Sequence, residues 1–288
     1  MSDVDISQRF TIEQTDARGE VVRLSESYQS AFRHIDYPDT LKPLLGEAMA
    51  AAVLLSATLK FEGKLSIQLQ GKGPVSLLLV QATHDRKLRG LLKWKDEIAD
   101  PSFRALTAGA TLVITIEPDA GKRYQGVVPL EGESLAQCLE YYFLQSEQLP
   151  TQVWLTADQT TAAGFLLQKL PKQGEHLAPE NWEHISIIAK TITDEELLSL
   201  DFETLLYRLF HAEGVRVYDP HPVTFECVCS IKRCENAILS LGSEEIEKMV
   251  QQNQAIDMSC EFCGQGFHIG IDRLGELLQE SRSPSGQA

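Results

Sequence analysis

LGEAMAAAVLLSATL, residues 45–59, is apolar on nearly every side of the helix that it would form. A helix without a polar stripe cannot lie on a protein surface and has to be surrounded by other elements. We therefore predict a central core helix over residues 39–59, in which Pro43 is tolerated only because it falls in the first turn. The near-apolar run at residues 48–59 is too short to cross a bilayer.

Segments with strand patterns lie on both sides of this helix. The clearest is 65–70, where Leu65, Ile67 and Leu69 alternate with polar residues before a turn at GKGP, residues 71–74. Strands are predicted at residues 9–14, 20–24, 65–70, 75–80, 88–94, 111–116, 124–130, 152–156 and 164–170. Few helices are interspersed, one of them capped by Ser134, and this favours a largely antiparallel sheet over a doubly wound one.

The character of the sequence changes near Lys172, where a polar stretch with two prolines indicates a boundary. Short helices are predicted at residues 182–190, 193–200 and 202–211, and Thr193 with Glu196 forms a capping box. They carry a stripe of large apolar side chains, namely Leu197, Leu198, Leu200, Leu205, Leu206, Leu209 and Phe210. Such a stripe is typical of core packing, and docked over the N-terminal sheet it would cover a hydrophobic patch.

These patterns together predict an α+β fold in three parts. Residues 1–175 form an N-terminal mixed domain with a largely antiparallel sheet and core helices. Residues 176–226 form a helical linker, and residues 227–288 form a small C-terminal four-cysteine zinc domain.

The charge of the chain restricts its partners. Lysine and arginine number 26 and aspartate and glutamate 41, which gives a formal net charge of −15. A surface this acidic repels phosphate backbones, so nucleic acid is not expected as a partner. The first ten residues, MSDVDISQRF, lack the apolar core of a secretory signal, and no segment is long enough to span a membrane. We expect a cytoplasmic protein without a membrane partner.

Five of the six cysteines fall in the last 62 residues, in the pattern Cys227-x-Cys229 and Cys260-x-x-Cys263-Gly264. Four thiolates in two close pairs fit tetrahedral zinc, and the glycine permits the tight turn of a zinc knuckle. We leave Cys234 out, because a helix over residues 234–241 would point it away. Cys138 has the position of an ordinary buried cysteine on a helix face, and His268 is expected to be a strand residue.

Spacing alone leaves the role of this zinc site open. It could be a static clip, because a domain with few large apolar side chains depends on metal to fold. It could also be a switch, because thiolates react with peroxide or hypochlorous acid, and oxidation of either pair would remove two ligands.

Two other classes of function are weaker alternatives. A thiol–disulfide oxidoreductase using Cys260 and Cys263 would need a thioredoxin-like βαβ context, which the tail lacks. A zinc-ribbon nucleic-acid module is disfavoured because five basic residues in the tail face nine acids. No nucleotide-binding glycine loop and no catalytic serine or metalloprotease motif occurs, so we predict that the protein is not an enzyme and has no catalytic residues.

At two places the sequence closely resembles the redox-regulated heat-shock chaperones, the 33-kDa chaperonin family of the bacterial cytosol. These are FECVCS at residues 225–230 and IDMSCEFCG at residues 256–264. Shorter similarities extend the resemblance along nearly the whole chain: ATLKF at 57–61, QLQG at 68–71, RYQGVV at 123–128, SEQLPT at 146–151 and VYDP at 217–220.

The resemblance implies a specific function. Members of the family are ATP-independent holdases, which bind unfolding proteins and prevent their aggregation under oxidative and heat stress. It implies one Zn²⁺ on Cys227, Cys229, Cys260 and Cys263 in the reduced, inactive state. It further implies that oxidation joins Cys227 to Cys229 and Cys260 to Cys263, with loss of zinc, unfolding of the tail and linker, and formation of a homodimer.

Overall fold

The strands of the first unit form two six-stranded sheets. The structure is a computed structural model that describes residues 4–13, 15–58, 62–95, 98–171 and 180–282, and the chain divides into two units, residues 1–226 and 227–288. The strands of the first unit are β1 (Ile6–Ile12), β2 (Ala17–Leu24), β3 (Gly63–Gly71), β4 (Val75–Thr83), β5 (Lys87–Trp94), β6 (Ala110–Pro118), β7 (Tyr124–Val128), β8 (Thr151–Ala157), β9 (Ala162–Lys169), β10 (Val215–Val217), β11 (His221–Pro222) and β12 (Thr224–Phe225).

Sheet A has the order β10-β1-β2-β9-β8, with β11 also paired to β1, and all its pairs are antiparallel. Sheet B has the order β12-β5-β4-β3-β6-β7 and is antiparallel except for β12 and β5. The predicted α+β fold with a largely antiparallel arrangement is confirmed, although the strands divide between two sheets.

The helices of the first unit are α1 (Glu26–Ser30), α2 (Lys42–Thr58), α3 (Phe103–Leu106), α4 (Leu135–Tyr142), α5 (Glu180–Ala189), α6 (Asp194–Ser199) and α7 (Phe202–Phe210). The predicted central helix is α2, which contacts β2, β8 and β9 of sheet A and β3, β4 and β5 of sheet B. Thirteen of its 17 residues are buried. Its apolar surface is continuous because a sheet covers it on either side. It begins at Lys42, three residues later than predicted, and Pro43 lies in its first turn.

The linker helices α5, α6 and α7 cover the face of sheet A that points away from α2. Leu205, Leu206 and Phe210 are buried there with Phe10 and Phe165 of the sheet. The ring centroids of Phe10 and Phe210 lie 6.2 Å apart. Other members of the predicted stripe, Leu197 and Leu209, are buried in the same cluster, and Leu198 and Leu200 are partly buried against it. The predicted boundary at residue 175 lies outside the described residues and stays a prediction.

Arg23 of β2 joins the sheet to the linker. Its guanidinium is buried and donates hydrogen bonds to the backbone carbonyls of Leu197 (2.7 Å) and Leu200, at the end of α6. It also lies over the ring of Phe202, 5.2 Å from the centroid. Because a helix end leaves carbonyls without partners, the guanidinium caps α6 while holding it against the sheet. No local pattern marks this arginine in the sequence.

Glu47 of α2 makes the stability of this unit depend on pH. Burial, with a smaller effect of the negative charge on Asp194 of α6, raises the pKa of Glu47 from 4.5 to about 7. A carboxyl whose pKa is raised by folding favours the folded state below its unfolded pKa, and this advantage is lost as pH rises through 7. We expect Glu47→Gln to stabilise the protein by up to about 3 kcal/mol at pH 8.5 and by little at pH 4.5. Urea unfolding at the two pH values measures this, and an equal effect at both would contradict it.

The second unit is small and has a correspondingly small core. Its elements are α8 (Ile231–Leu239), α9 (Ser243–Gln251), β13 (Ile256–Ser259), β14 (Gly266–Ile269) and α10 (Ile271–Arg282). Its buried apolar cluster consists of Ile238, Ile246, Ile269, Leu274 and Leu277. Five buried side chains are few for about 60 residues, so a further cross-link is needed to stabilise this unit. Within the described ranges of the whole chain, no helix is long and apolar enough to span a membrane.

Candidate metal centre

The first cysteine pair lies between β12 and α8. Cys227 and Cys229 lie two positions apart in a segment without regular secondary structure. Ser230 then caps α8 by accepting a hydrogen bond from the backbone N–H of Arg233 (3.3 Å). The cap starts the helix at Ile231, three residues before the predicted position. The chain therefore leaves the pair immediately into a helix, and this fixes one side of the site.

The second pair lies in the turn between β13 and β14. The N–H of Cys260 donates to the carbonyl of Gln265 (2.9 Å), and the N–H of Gly264 donates to the carbonyl of Cys260 (2.7 Å). Gly264 has φ +71°, in the left-handed region that favours glycine. Gly264 thus makes the tight turn that the sequence predicted, and the antiparallel pair β13–β14 holds both cysteines at that turn.

The two pairs come together in space. Sγ of Cys227 lies 3.5 Å from Sγ of Cys260, and Sγ of Cys229 lies 3.5 Å from Sγ of Cys263. All four sulfurs lie within 4.8 Å of one another. A tetrahedral ion with bonds of about 2.3 Å to sulfur places its ligands about 3.8 Å apart. A disulfide would require about 2.05 Å, and all four cysteines are free thiols. The four cysteines could therefore hold one metal ion.

The acidity of the thiols differs within the cluster. Burial raises the pKa of both Cys229 and Cys263. Burial also opposes ionisation of Cys227, but hydrogen bonds from the backbone N–H of Cys229 and with the thiols of Cys260 and Cys263 outweigh it and lower the pKa of Cys227. Four thiolates at such distances repel one another, and a divalent cation at the centre removes that repulsion.

Gly264 offers a test of the knuckle. A side chain at φ +71° costs about 1–2 kcal/mol, so we expect Gly264→Ala to weaken metal binding about tenfold. Gly266→Ala is the matched control, because nothing lies within 4 Å of the added Cβ. Competition with a colorimetric zinc chelator measures both affinities. Equal affinities of the two variants would show that the turn does not depend on the left-handed glycine.

The remaining candidate ligands lie elsewhere. Cys234 is inside α8 and is partly buried against the Ile238 cluster, outside the group of four sulfurs. Cys138 is fully buried in α4, where burial raises the pKa of its thiol. His268 is a strand residue of β14, as expected, and its Nδ1 lies 2.8 Å from the carboxylate of Asp257.

The fold and the cysteine cluster define a protein with an α+β unit and a small unit that carries four clustered thiols able to hold a metal ion. A family model described as "Hsp33 protein" matches residues 5–270. The chain is 46% identical to the 33 kDa chaperonin of Shewanella loihica, over 96% of each chain, and 42% identical to that of Proteus mirabilis, over 98% of this chain and 99% of the relative.

The crystal structure of the 33 kDa chaperonin from Thermotoga maritima has the same fold, with a TM-score of 0.83 over 96% of this chain and 98% of that chain at 22% identity. The chain belongs to the Hsp33 family. The resemblance found in the sequence is thus confirmed. This family consists of chaperones and not enzymes, so the chain is a chaperone and binds client proteins.

Proposed function

We propose that this chaperone is an ATP-independent holdase that is switched on by oxidation of its cysteines. In the reduced state it is inactive. Under oxidative and heat stress it binds unfolding proteins and prevents their aggregation. The observation that carries the proposal is the cluster of four sulfurs within 4.8 Å in a unit whose described residues, 227–282, include five buried apolar side chains. Such a unit depends on the state of its cysteines to remain folded.

Cys227, Cys229, Cys260 and Cys263 would hold one Zn²⁺ in the reduced protein. When bound, Zn²⁺ supplies a dication that keeps the sulfurs as thiolates and stabilises the folded unit by roughly 10–16 kcal/mol. The four cysteines connect the segment before α8 to the β13–β14 turn, so together they close the fold of the second unit.

Oxidation by peroxide would form two disulfides. For each disulfide, one H₂O₂ removes two electrons from two thiolates, whose sulfurs then bond to each other. The H₂O₂ takes up two protons and is reduced to two H₂O. We propose the pairs Cys227–Cys229 and Cys260–Cys263. The closest sulfurs in the reduced fold belong to the other pairing, Cys227 with Cys260 and Cys229 with Cys263. That pairing would keep the two segments tied together, whereas the local pairing separates them and lets the unit unfold.

Loss of this unit would release the linker. In the reduced fold, the apolar side of α5–α7 packs against one face of sheet A. That face carries Phe10, Val21 and Phe165. Once they separate, both become continuous apolar surfaces, which unfolded clients bind through exposed hydrophobic segments. The same exposed surfaces support formation of a homodimer after oxidation. We further propose that the protein is cytoplasmic and has no nucleic-acid or membrane partner; the net charge of −15 supports the absence of anionic partners.

Light scattering from a heat-unfolded client tests the proposal. One sample of the protein is reduced and zinc-loaded, and the other is treated with peroxide at elevated temperature while a chelating dye measures released zinc. We expect only the oxidised, zinc-free sample to suppress scattering, without ATP. Peptide mapping should find the local disulfides. Equal behaviour of the two samples, or oxidation without zinc release, would leave a purely structural zinc site.

A further inference from the structure

The last residues of the linker are attached to the first unit differently from its helices. Val223 is 2% exposed and belongs to the core between the two sheets, and Phe225 packs against the same core. The helices α5–α7 instead pack on the outer face of sheet A. Of the described linker residues, these two alone join the interior core. We name residues 223–226 the latch.

Three backbone hydrogen bonds hold the latch near the starts of β1 and β5. The N–H groups of Val223, Thr224 and Glu226 donate to the carbonyls of Asp5 (2.8 Å), Arg86 (3.2 Å) and Leu88 (2.9 Å), respectively. The Lys87 ammonium also lies 3.1 Å from the Glu226 carboxylate. The latch thus connects the start of β1, in sheet A, with the start of β5, in sheet B.

Two of the three acceptors have an uncommon backbone conformation. Asp5 has φ +54° and Arg86 has φ +64°, and only four described residues other than glycine have positive φ. This conformation is unfavourable for residues with a side chain and persists only where the surroundings impose it. Here the carbonyl of Asp5 accepts from the N–H of Val223. The carbonyl of Arg86 accepts from the N–H of Thr224, the next residue of the latch.

Contacts that do not involve the linker hold both acceptors in place. The Asp5 carboxylate accepts hydrogen bonds from the backbone N–H groups of Ser25, Glu26 and Ser27 (2.9–3.1 Å). The Arg86 side chain is buried and donates to the Ser7 hydroxyl (3.2 Å) and the His84 carbonyl (2.5 Å). The receptor for the latch is therefore preorganised, and the latch itself is the part that can leave.

We propose that the latch transmits the metal state of the cysteine unit to the linker, with Asp5 and Arg86 as positioning residues. Cys227 directly follows Glu226 in the chain. While the second unit is folded, the residue that follows the latch, Cys227, is ordered within that unit, so docking of the latch has less backbone entropy to overcome. Once the second unit unfolds, the same few contacts have to order the end of a free chain. They are too few to do so, and the latch opens.

This inference rests on the proposed function in taking loss of zinc as the signal. Its test is peptide-resolved hydrogen exchange on the reduced full-length protein, zinc-loaded and zinc-stripped, as wild type and as Val223→Ala. In wild type, we expect stripping to speed exchange across residues 215–226 at least tenfold. In zinc-loaded Val223→Ala, the same segment should already exchange about tenfold faster, while residues 231–282 stay protected. Stripping this variant should then add less than threefold.

Val217→Ala is the matched control, because Val217 lies in β10 of the same linker and is 43% exposed. It should stay within twofold of wild type. Val223→Thr, which keeps the shape of valine, replaces Val223→Ala if β3 and β4 lose protection. The proposal would be overturned if residues 215–226 of the zinc-loaded variant at Val223 exchanged within twofold of wild type, or if stripping that variant of zinc sped exchange a further threefold or more. The hydrogen-exchange experiment contains no client protein. Its result therefore stays interpretable even if the protein fails to act as a holdase in light scattering.

Discussion

Full-length protein with Cys227→Ser is expected to lose its metal and to unfold across residues 227–282 while residues 4–171 keep their structure. A hydroxyl does not replace a thiolate ligand, and the part of the second unit that the structure describes has a core of five buried apolar side chains. Most of the roughly 10–16 kcal/mol contributed by a structural zinc site is then lost. The variant should suppress client aggregation without any oxidant. Zinc content, hydrogen exchange and light scattering on one preparation measure the three effects.

Cys234→Ser is the control for this substitution. It changes the fifth cysteine of the same unit, which lies on α8 outside the group of four sulfurs. We expect it to keep one zinc per chain and to remain inactive until oxidised. A Cys227→Ser variant that still binds zinc at wild-type affinity would contradict the four-thiolate site. One that unfolds across the second unit but does not protect clients would contradict the switch.

The second large effect is expected from Phe210→Ala in the linker. Phe210 is fully buried against Phe10 on the outer face of sheet A. Replacing a buried phenylalanine by alanine costs about 3–5 kcal/mol of folding free energy, and here it weakens the packing of α7 on sheet A. We expect α5–α7 to exchange faster and the reduced, zinc-loaded protein to protect clients in part.

Tyr207→Ala is the matched control on the same helix, because Tyr207 is 70% exposed. It should leave exchange of the linker and the inactivity of the reduced protein as in wild type. If Phe210→Ala loosened the linker without any client protection in the reduced state, the covered apolar surfaces would not be where clients bind. Equal effects of both substitutions would show that burial on sheet A is not the cause.

The parts of the fold that local patterns encode could be predicted from the sequence. The apolar stretch at residues 45–59 predicted a central helix, since a helix apolar all round can only be buried. The capping box at Thr193 and Glu196 predicted the start of α6, and both of its hydrogen bonds are present. The division of the strands into two sheets could not be predicted. It depends on non-local pairs such as β2 with β9, which no local pattern specifies.

The same distinction applies to the candidate site. The spacing of the cysteines predicted a cluster of Cys227, Cys229, Cys260 and Cys263, because each pair lies within one short turn or segment. Arg23 could not be found, since its role depends on the end of α6, 174 residues later in the chain. Arg86 and the latch were missed for a related reason. Nothing in the sequence indicates that Arg86 adopts a positive φ. Its hydrogen-bond partner, Thr224, comes near it only when the sheets have folded.

A peroxide titration in which released zinc and client protection are measured on the same samples tests whether zinc loss activates the chaperone. If the folded cysteine unit keeps the chaperone inactive, the fraction of zinc released and the fraction of maximal protection rise together at every peroxide dose. Restoring both by a thiol reductant and added zinc should reverse the change. Protection that reaches its maximum while zinc is still bound, or complete zinc release with no protection, would show that zinc loss is not what activates the chaperone.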